Sequence, residues 1–200
     1  MELVRKLAGH AFFQLMGYRP FAVDAGTWDR EYKSGSWDFL GAMDNLGGLA
    51  SILGYCQYLN PDLILDIGCG AGLLARKLKV LPYGAYLGLD LSAEAIAQAA
   101  PVADDRTTFQ IGDAESFDTG HRFDVIVFSQ ILNYVERPDA MLARYAGLLT
   151  SNGRIIASLY QAPRTAAAWR LIDRTMHTDD AMTVTQGAGT TTTKVLRPRR

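Results

Sequence analysis

Along the first sixteen residues, apolar side chains return every fourth position. Leu3, Leu7, Ala11 and Leu15 form one stripe with Phe12 beside it, and Arg5 and Lys6 lie off it. That spacing predicts an amphipathic helix capping a core. Pro20 and the run Asp24-Ala25-Gly26-Thr27 break the helix. From Trp28 to Trp37, aromatic and charged residues mix without the alternation of a strand. A second helix is expected over residues 43–58, ended by Asn60-Pro61.

Beyond Asp62 the pattern changes. Short runs rich in Leu, Ile and Val, at residues 63–67, 86–89, 108–111, 125–128 and 155–159, read as strands buried on both faces. Helical segments separate them at residues 73–79, 93–99 and 140–149, with Ser92 and Asp139 as expected N-caps of the second and third. Strands alternating with helices make an α/β protein with a parallel sheet covered on both faces. A further helix is expected at 165–176. Runs at 182–186 and 191–196, flanking Gly187-Ala188-Gly189-Thr190, read as a hairpin closing the sheet edge.

Composition narrows the picture. Two hundred residues, 48% hydrophobic, suffice for one sizeable core. A formal charge of -1 and a pI near 6.3 give no long-range field for nucleic acid. The basic end Arg197, Arg199, Arg200 reads as a solvated tail. Cys56 and Cys69 form no Cys-x-x-Cys pair and His is scarce, so no metal site is expected and the usage fits a reducing cytoplasm. No signal peptide is evident, and no apolar run approaches the ~20 residues of a bilayer span.

The densest chemistry lies in Leu63-Ile64-Leu65-Asp66-Ile67-Gly68-Cys69-Gly70-Ala71-Gly72-Leu73. A buried strand enters a glycine-rich turn and a helix leaves it, so backbone can approach a ligand closely. The dinucleotide fingerprint Gly-x-Gly-x-x-Gly would place its third glycine at position 73, which is Leu. Asp66 at the strand end would face a pyrophosphate unfavourably but an ammonium or sulfonium favourably. A ligand with an amino-acid end and a nucleoside end fits better, and S-adenosylmethionine is such a molecule. Asp90 ends the next strand about 20 residues on, the spacing at which an acid reaches ribose hydroxyls. Asp113 follows the third strand at the same sheet edge. Its carboxylate suits the adenine amino group and the Ala114 amide a ring nitrogen. A helix cap is the alternative role for both acids.

With these residues the chain resembles the class I S-adenosylmethionine-dependent methyltransferases, small-molecule type, over roughly residues 62–196. The motifs are Leu65-Asp66-Ile67-Gly68-Cys69-Gly70-Ala71-Gly72, Leu89-Asp90-Leu91-Ser92, Gly112-Asp113-Ala114, the run from Phe123 to Val135, and the run from Leu148 to Ile156. The resemblance implies a Rossmann-like three-layer sandwich. Its seven-stranded, mostly parallel sheet has order 3-2-1-4-5-7-6 with the last strand antiparallel. Residues 1–60 would form a helical cap or lid on a cofactor-binding unit at 61–200. It places methionine near Gly68 and Gly70, ribose on Asp90 beside Leu91, and adenine near Asp113 and Ala114. Ser129, Gln130 and Ile131 would lie beside the cofactor, with Tyr32 and Trp37 covering it and shaping the acceptor pocket.

One departure stands out. Many relatives carry His where this chain has Tyr134, in Asn133-Tyr134, so no general base is assigned. His10, His121 and His177 read as surface or packing residues, and Tyr32, Tyr134 and Tyr160 as candidate pocket walls. The implied activity is methyl transfer to the N or O of a small molecule, leaving S-adenosylhomocysteine. The alternatives are a protein or nucleic-acid methyltransferase and a catalytically silent cofactor-binding protein.

Overall fold

The computed structural model describes Tyr18, Pro20, Phe21 and residues 23–187 and 189–199. The expected helix around Leu3–Leu15, and His10 with it, lies outside these. The strands are β1 (Leu63–Ile67), β2 (Ala85–Asp90), β3 (Thr107–Ile111), β4 (Phe123–Ser129), β5 (Leu149–Tyr160), β6 (Met176–Gln186) and β7 (Gly189–Pro198). They form one sheet of order β3-β2-β1-β4-β5-β7-β6. Pairing is parallel from β3 to β5, and β7 runs antiparallel to both its neighbours.

The helices are α1 (Ala25–Lys33), α2 (Leu46–Leu59), α3 (Leu73–Leu78), α4 (Ala93–Ala99), α5 (Pro138–Ala146) and α6 (Pro163–Thr175). Strand alternation sends successive side chains to opposite faces, and each face has its own cluster. Ile64, Val125, Val127 and Ile156 pack with Ile52 and Cys56 of α2 and Leu74 and Leu78 of α3. Leu65, Ile67, Ile126 and Phe128 pack with Leu142 and Tyr145 of α5 and Ile172 of α6. The result is a three-layer α/β sandwich.

The structure differs from the sequence reading in detail: β6 starts at Met176, ahead of the expected run at 182–186. Asp139 does not cap α5: Pro138 occupies the first turn, Arg137 takes the cap position, and both Arg137 Nε and Nη2 donate to the Asp139 carboxylate at 3.0 and 2.8 Å. β5 begins at Leu149, inside the expected helix 140–149, because a register shift between Phe123 and Val125 absorbs extra residues of β5. Helix α1 was not anticipated. Asp24, read as a breaker, is its N-cap and accepts from Thr27 N at 2.9 Å.

Candidate active site

β1 and β4 end side by side, and the sheet changes direction of growth between β1 and its two neighbours. This is the switch point at which open α/β sheets hold ligands. After Ile67 the chain turns through Gly68 (φ 72°) and Gly70 (φ 53°), left-handed conformations that favour glycine. A Cβ on Gly68 would lie 2.3 Å from Ile131 Cγ2, and one on Gly70 2.6 Å from the Tyr32 hydroxyl. Gly72, also left-handed at φ 73°, begins α3. Gly68 N and Cys69 N donate to Leu89 O at 2.8 and 3.0 Å, tying the turn to the end of β2. Cys69 is buried, and burial pushes its thiol well up, consistent with packing.

Asp66 is 2% exposed, in the layer that also holds Tyr86 and Cys56. Tyr86 donates to its Oδ2 at 2.6 Å, whereas Oδ1 is buried without a hydrogen-bond partner. Burial raises its carboxyl to about 7, the Tyr86 hydrogen bond opposes the rise, and the Asp90 charge adds to it. Asp90 accepts from Gly70 N and Ser92 N, both at 2.9 Å. Burial nevertheless holds its pKa above the ordinary value. The two carboxylates thus flank the glycine turn. Leu91 follows, 37% exposed at the sheet end.

Asp113 is exposed and closes a turn, accepting from Glu115 N at 2.8 Å. The Ala114 carbonyl takes the Tyr145 hydroxyl at 2.9 Å and the Arg144 guanidinium. Ser129 ends β4. Gln130 adopts φ 63°, and its side chain turns to β5, accepting from Tyr160 N at 2.9 Å and donating to Ser158 Oγ at 3.4 Å. The structure therefore brings Gly68, Gly70, Ile131, Tyr32, Asp66 and Asp90 together, and directs the Gln130 side chain to the neighbouring strand.

α1 carries a set of residues the sequence reading missed. Asp29 Oδ1 accepts from Ser92 Oγ at 2.6 Å and Glu94 N at 3.2 Å, hooking α1 onto the start of α4. Gln98 Nε2 donates to Tyr32 O at 3.1 Å. Burial first, then Asp90, pushes the Tyr32 phenol far above its ordinary value. Trp37 Nε1 donates to Glu31 Oε2 at 3.1 Å. Rings continue outward: Trp37 lies 6.4 Å from Tyr32, 5.6 Å from Trp28 and 6.0 Å from Phe39, and Trp28 meets Tyr134 edge-on at 4.9 Å. Tyr160 donates to Asn45 Oδ1 at 2.5 Å. His121 is exposed just before β4, at the end opposite Ser129, and His177 lies on β6, 3.6 Å from Asp179.

This sheet order, with acidic residues at successive strand ends around a glycine turn, is that of the S-adenosylmethionine-dependent methyltransferases of class I. Residues 62–195 match the family model described as a methyltransferase domain, and the chain belongs to that family. Among curated relatives, the ubiquinone biosynthesis O-methyltransferase of Rhodopseudomonas palustris (strain HaA2) is 35% identical over 99 residues, covering 48% of this chain and 38% of that protein. The one from Glaesserella parasuis is 31% identical over 119 residues, covering 54% and 49%. The chain thus spans less than half the length of these relatives. Among solved structures, the N-methyltransferase NodS from Bradyrhizobium japonicum WM9, in complex with S-adenosyl-L-homocysteine, superposes with a TM-score of 0.71 at 17% identity. That match covers 88% of this chain and 98% of that one. Magnesium protoporphyrin IX methyltransferase from Synechocystis PCC 6803, with bound S-adenosylmethionine, gives 0.68 at 18% identity, covering 90% and 100%.

Proposed function

We propose that the protein transfers a methyl group from S-adenosylmethionine to a nitrogen or oxygen of a small-molecule acceptor. The observation that carries this reading is the buried Asp66 Oδ1, unpartnered among the described residues and set beside a turn whose glycines leave no room for a Cβ. An orphaned carboxylate oxygen suits the ammonium of an amino-acid end, and the glycine amides suit its carboxylate. Asp90 supplies oxygens for a ribose diol, with Leu91, Asp113 and Ala114 around the base. Ser129 and Ile131 close the side under β4, with the Gln130 backbone between them. Tyr32 and Trp37 cover the opening. The bound cofactor supplies a methyl group made electrophilic by its sulfonium.

The chain's own contribution is alignment and the exclusion of water. Holding two reactants in line contributes about 7–11 kcal/mol in favourable cases. No His reaches the aromatic cluster among the described residues, which suits an acceptor that needs no strong base. The same observation favours, as a second reading, a cofactor-binding protein without turnover. The names of the relatives support a small acceptor: ubiquinone biosynthesis in one case, magnesium protoporphyrin IX in another. Among the described residues no helix is long and apolar enough to cross a membrane. The buried free Cys56 and Cys69 support a reducing cytoplasm as the place of action.

Calorimetric titration with S-adenosylhomocysteine, with NAD in parallel, tests the reading. Micromolar binding of the first alone is expected, and Asp90→Ala weakens it by about 1–3 kcal/mol through lost charge-assisted hydrogen bonds. Folded protein that ignores S-adenosylhomocysteine would end it.

A further inference from the structure

We infer that the acceptor is an amine, recognised as its cation by the Glu31 carboxylate at the edge of the aromatic cluster of Trp28, Trp37 and Tyr134. The inference rests on the S-adenosylmethionine reading and adds the chemical class of the second substrate.

Three observations lead to it. First, the rings form a continuous chain at the mouth of the glycine turn: Phe21 to Tyr134 at 5.5 Å, Tyr134 to Trp28 at 4.9 Å, Trp28 to Trp37 at 5.6 Å. Tyr32 links that chain to the turn itself, its hydroxyl seated over Gly70. Electron-rich ring faces attract cations most where water is scarce. One end of the chain already does so, since the Arg164 guanidinium carbon stands 3.4 Å from the Phe21 ring centroid.

Second, a carboxylate is held at the edge of this ring system. Glu31 Oε2 accepts from the Trp37 indole at 3.1 Å, and the Glu31 charge reaches the Tyr134 phenol. The indole thereby orients a negative charge at the rim of the rings and spends one of its two oxygens. The other oxygen makes no hydrogen bond among the described residues. A carboxylate beside Trp and Tyr rings pairs charge with ring face, the arrangement that selects an ammonium over an isosteric alcohol.

Third, the surrounding cap is acidic. Between Asp24 and Asp44 the sequence carries five acidic and two basic side chains, a net charge of -3 in a protein whose total is -1. A net negative surround concentrates cations, and it outweighs the Arg164 guanidinium at the Phe21 end of the rings. An amine also explains why Tyr134 can stand without a His neighbour. The bound ammonium first gives one proton to solvent; the freed nitrogen lone pair then forms the N–CH3 bond as the S–CH3 bond breaks, leaving a methylammonium and a neutral thioether.

The test uses the full chain saturated with S-adenosylhomocysteine, whose own binding is measured first. Three probes sharing a phenylethyl group are titrated at pH 7.5: 2-phenylethylammonium, its isostere 2-phenylethanol, and the anion 3-phenylpropionate. Binding is read by calorimetry and by the change in tryptophan fluorescence, to which Trp28, Trp37 and Trp169 contribute. The ammonium is expected to bind at least tenfold tighter than either competitor. Glu31→Gln should remove that preference while leaving S-adenosylhomocysteine affinity and the circular dichroism unchanged. Trp37→Phe, which keeps a ring but drops the indole donor, should weaken the ammonium several-fold. Equal binding of alcohol and ammonium, tighter binding of the anion, or no binding of the ammonium would overturn the inference. So would a Glu31→Gln variant that loses affinity for S-adenosylmethionine but not for S-adenosylhomocysteine, because the carboxylate would then serve the sulfonium. If S-adenosylhomocysteine binds and the ammonium preference is missing, only this inference falls. If S-adenosylhomocysteine does not bind, the methyltransferase reading falls first.

Discussion

Asp66 shows most sharply how site and stability oppose each other in this protein. Its carboxyl is raised by burial from 3.8 to about 7. The folded state therefore holds a proton that the unfolded chain has lost between those values. Stability attributable to this group is present below about pH 4, declines as pH rises, and is gone above about 7. One pKa unit is about 1.4 kcal/mol, so the ceiling is about 4 kcal/mol. Asp66→Asn removes the ionisable group and keeps an acceptor for Tyr86. Without ligand, this variant should be no more stable than the parent at pH 4 and more stable at pH 8, by up to that ceiling, while S-adenosylhomocysteine binding falls. Unfolding scans at the two pH values check it, and a gap that does not widen with pH contradicts it. In the sequence Asp66 was legible as a strand-end acid, but its isolation was not. Tyr86 shares its layer only because β1 and β2 pair in register, Asp66 opposite Gly88.

Helix α1 is held by polar hooks and buries no residue of its own. That is why its nine residues escaped a reading based on apolar periodicity, which detects a stripe facing a core. Asp29 supplies the main hook, and its hydrogen bonds to Ser92 and Glu94 hold its carboxyl below the usual range. Asp29→Ala should speed hydrogen exchange of the amides of Ala25–Lys33 several-fold and leave those of β1, β4 and β5 unchanged. Exchange that accelerates throughout the sheet would show instead that α1 supports the whole fold. The first half of β6 is hidden from the sequence for a related reason. His177 to Ala181 lie on the sheet edge with little burial, so no apolar alternation marks them.

The sheet itself was legible because both its faces are covered. Every central strand had to be apolar along its length, and the helices between them amphipathic. Energetic weight should follow this division. Ile126→Ala, fully buried, is expected to destabilise the protein by about 2–5 kcal/mol. Ile111→Ala, 55% exposed at the carboxyl end of β3 opposite Asp90, should change stability by no more than about 0.5 kcal/mol. Denaturant titrations of the two variants compare them directly, and equal losses would contradict the two-face account. Helix α1 was less legible because it is held by contacts with residues sixty or more positions away. A nearer contact, that of Tyr32 with Gly70, has a kinetic meaning. The Tyr32 hydroxyl rests where anything attached to Gly70 would have to be. A ligand that settles on the turn under this phenol can enter only while the ring is lifted. The rate at which it arrives therefore scales with the fraction of molecules whose ring is raised, and its departure waits on the same motion. A tighter hook on α1 would lengthen the residence of whatever lies beneath, and slow the arrival of whatever comes next.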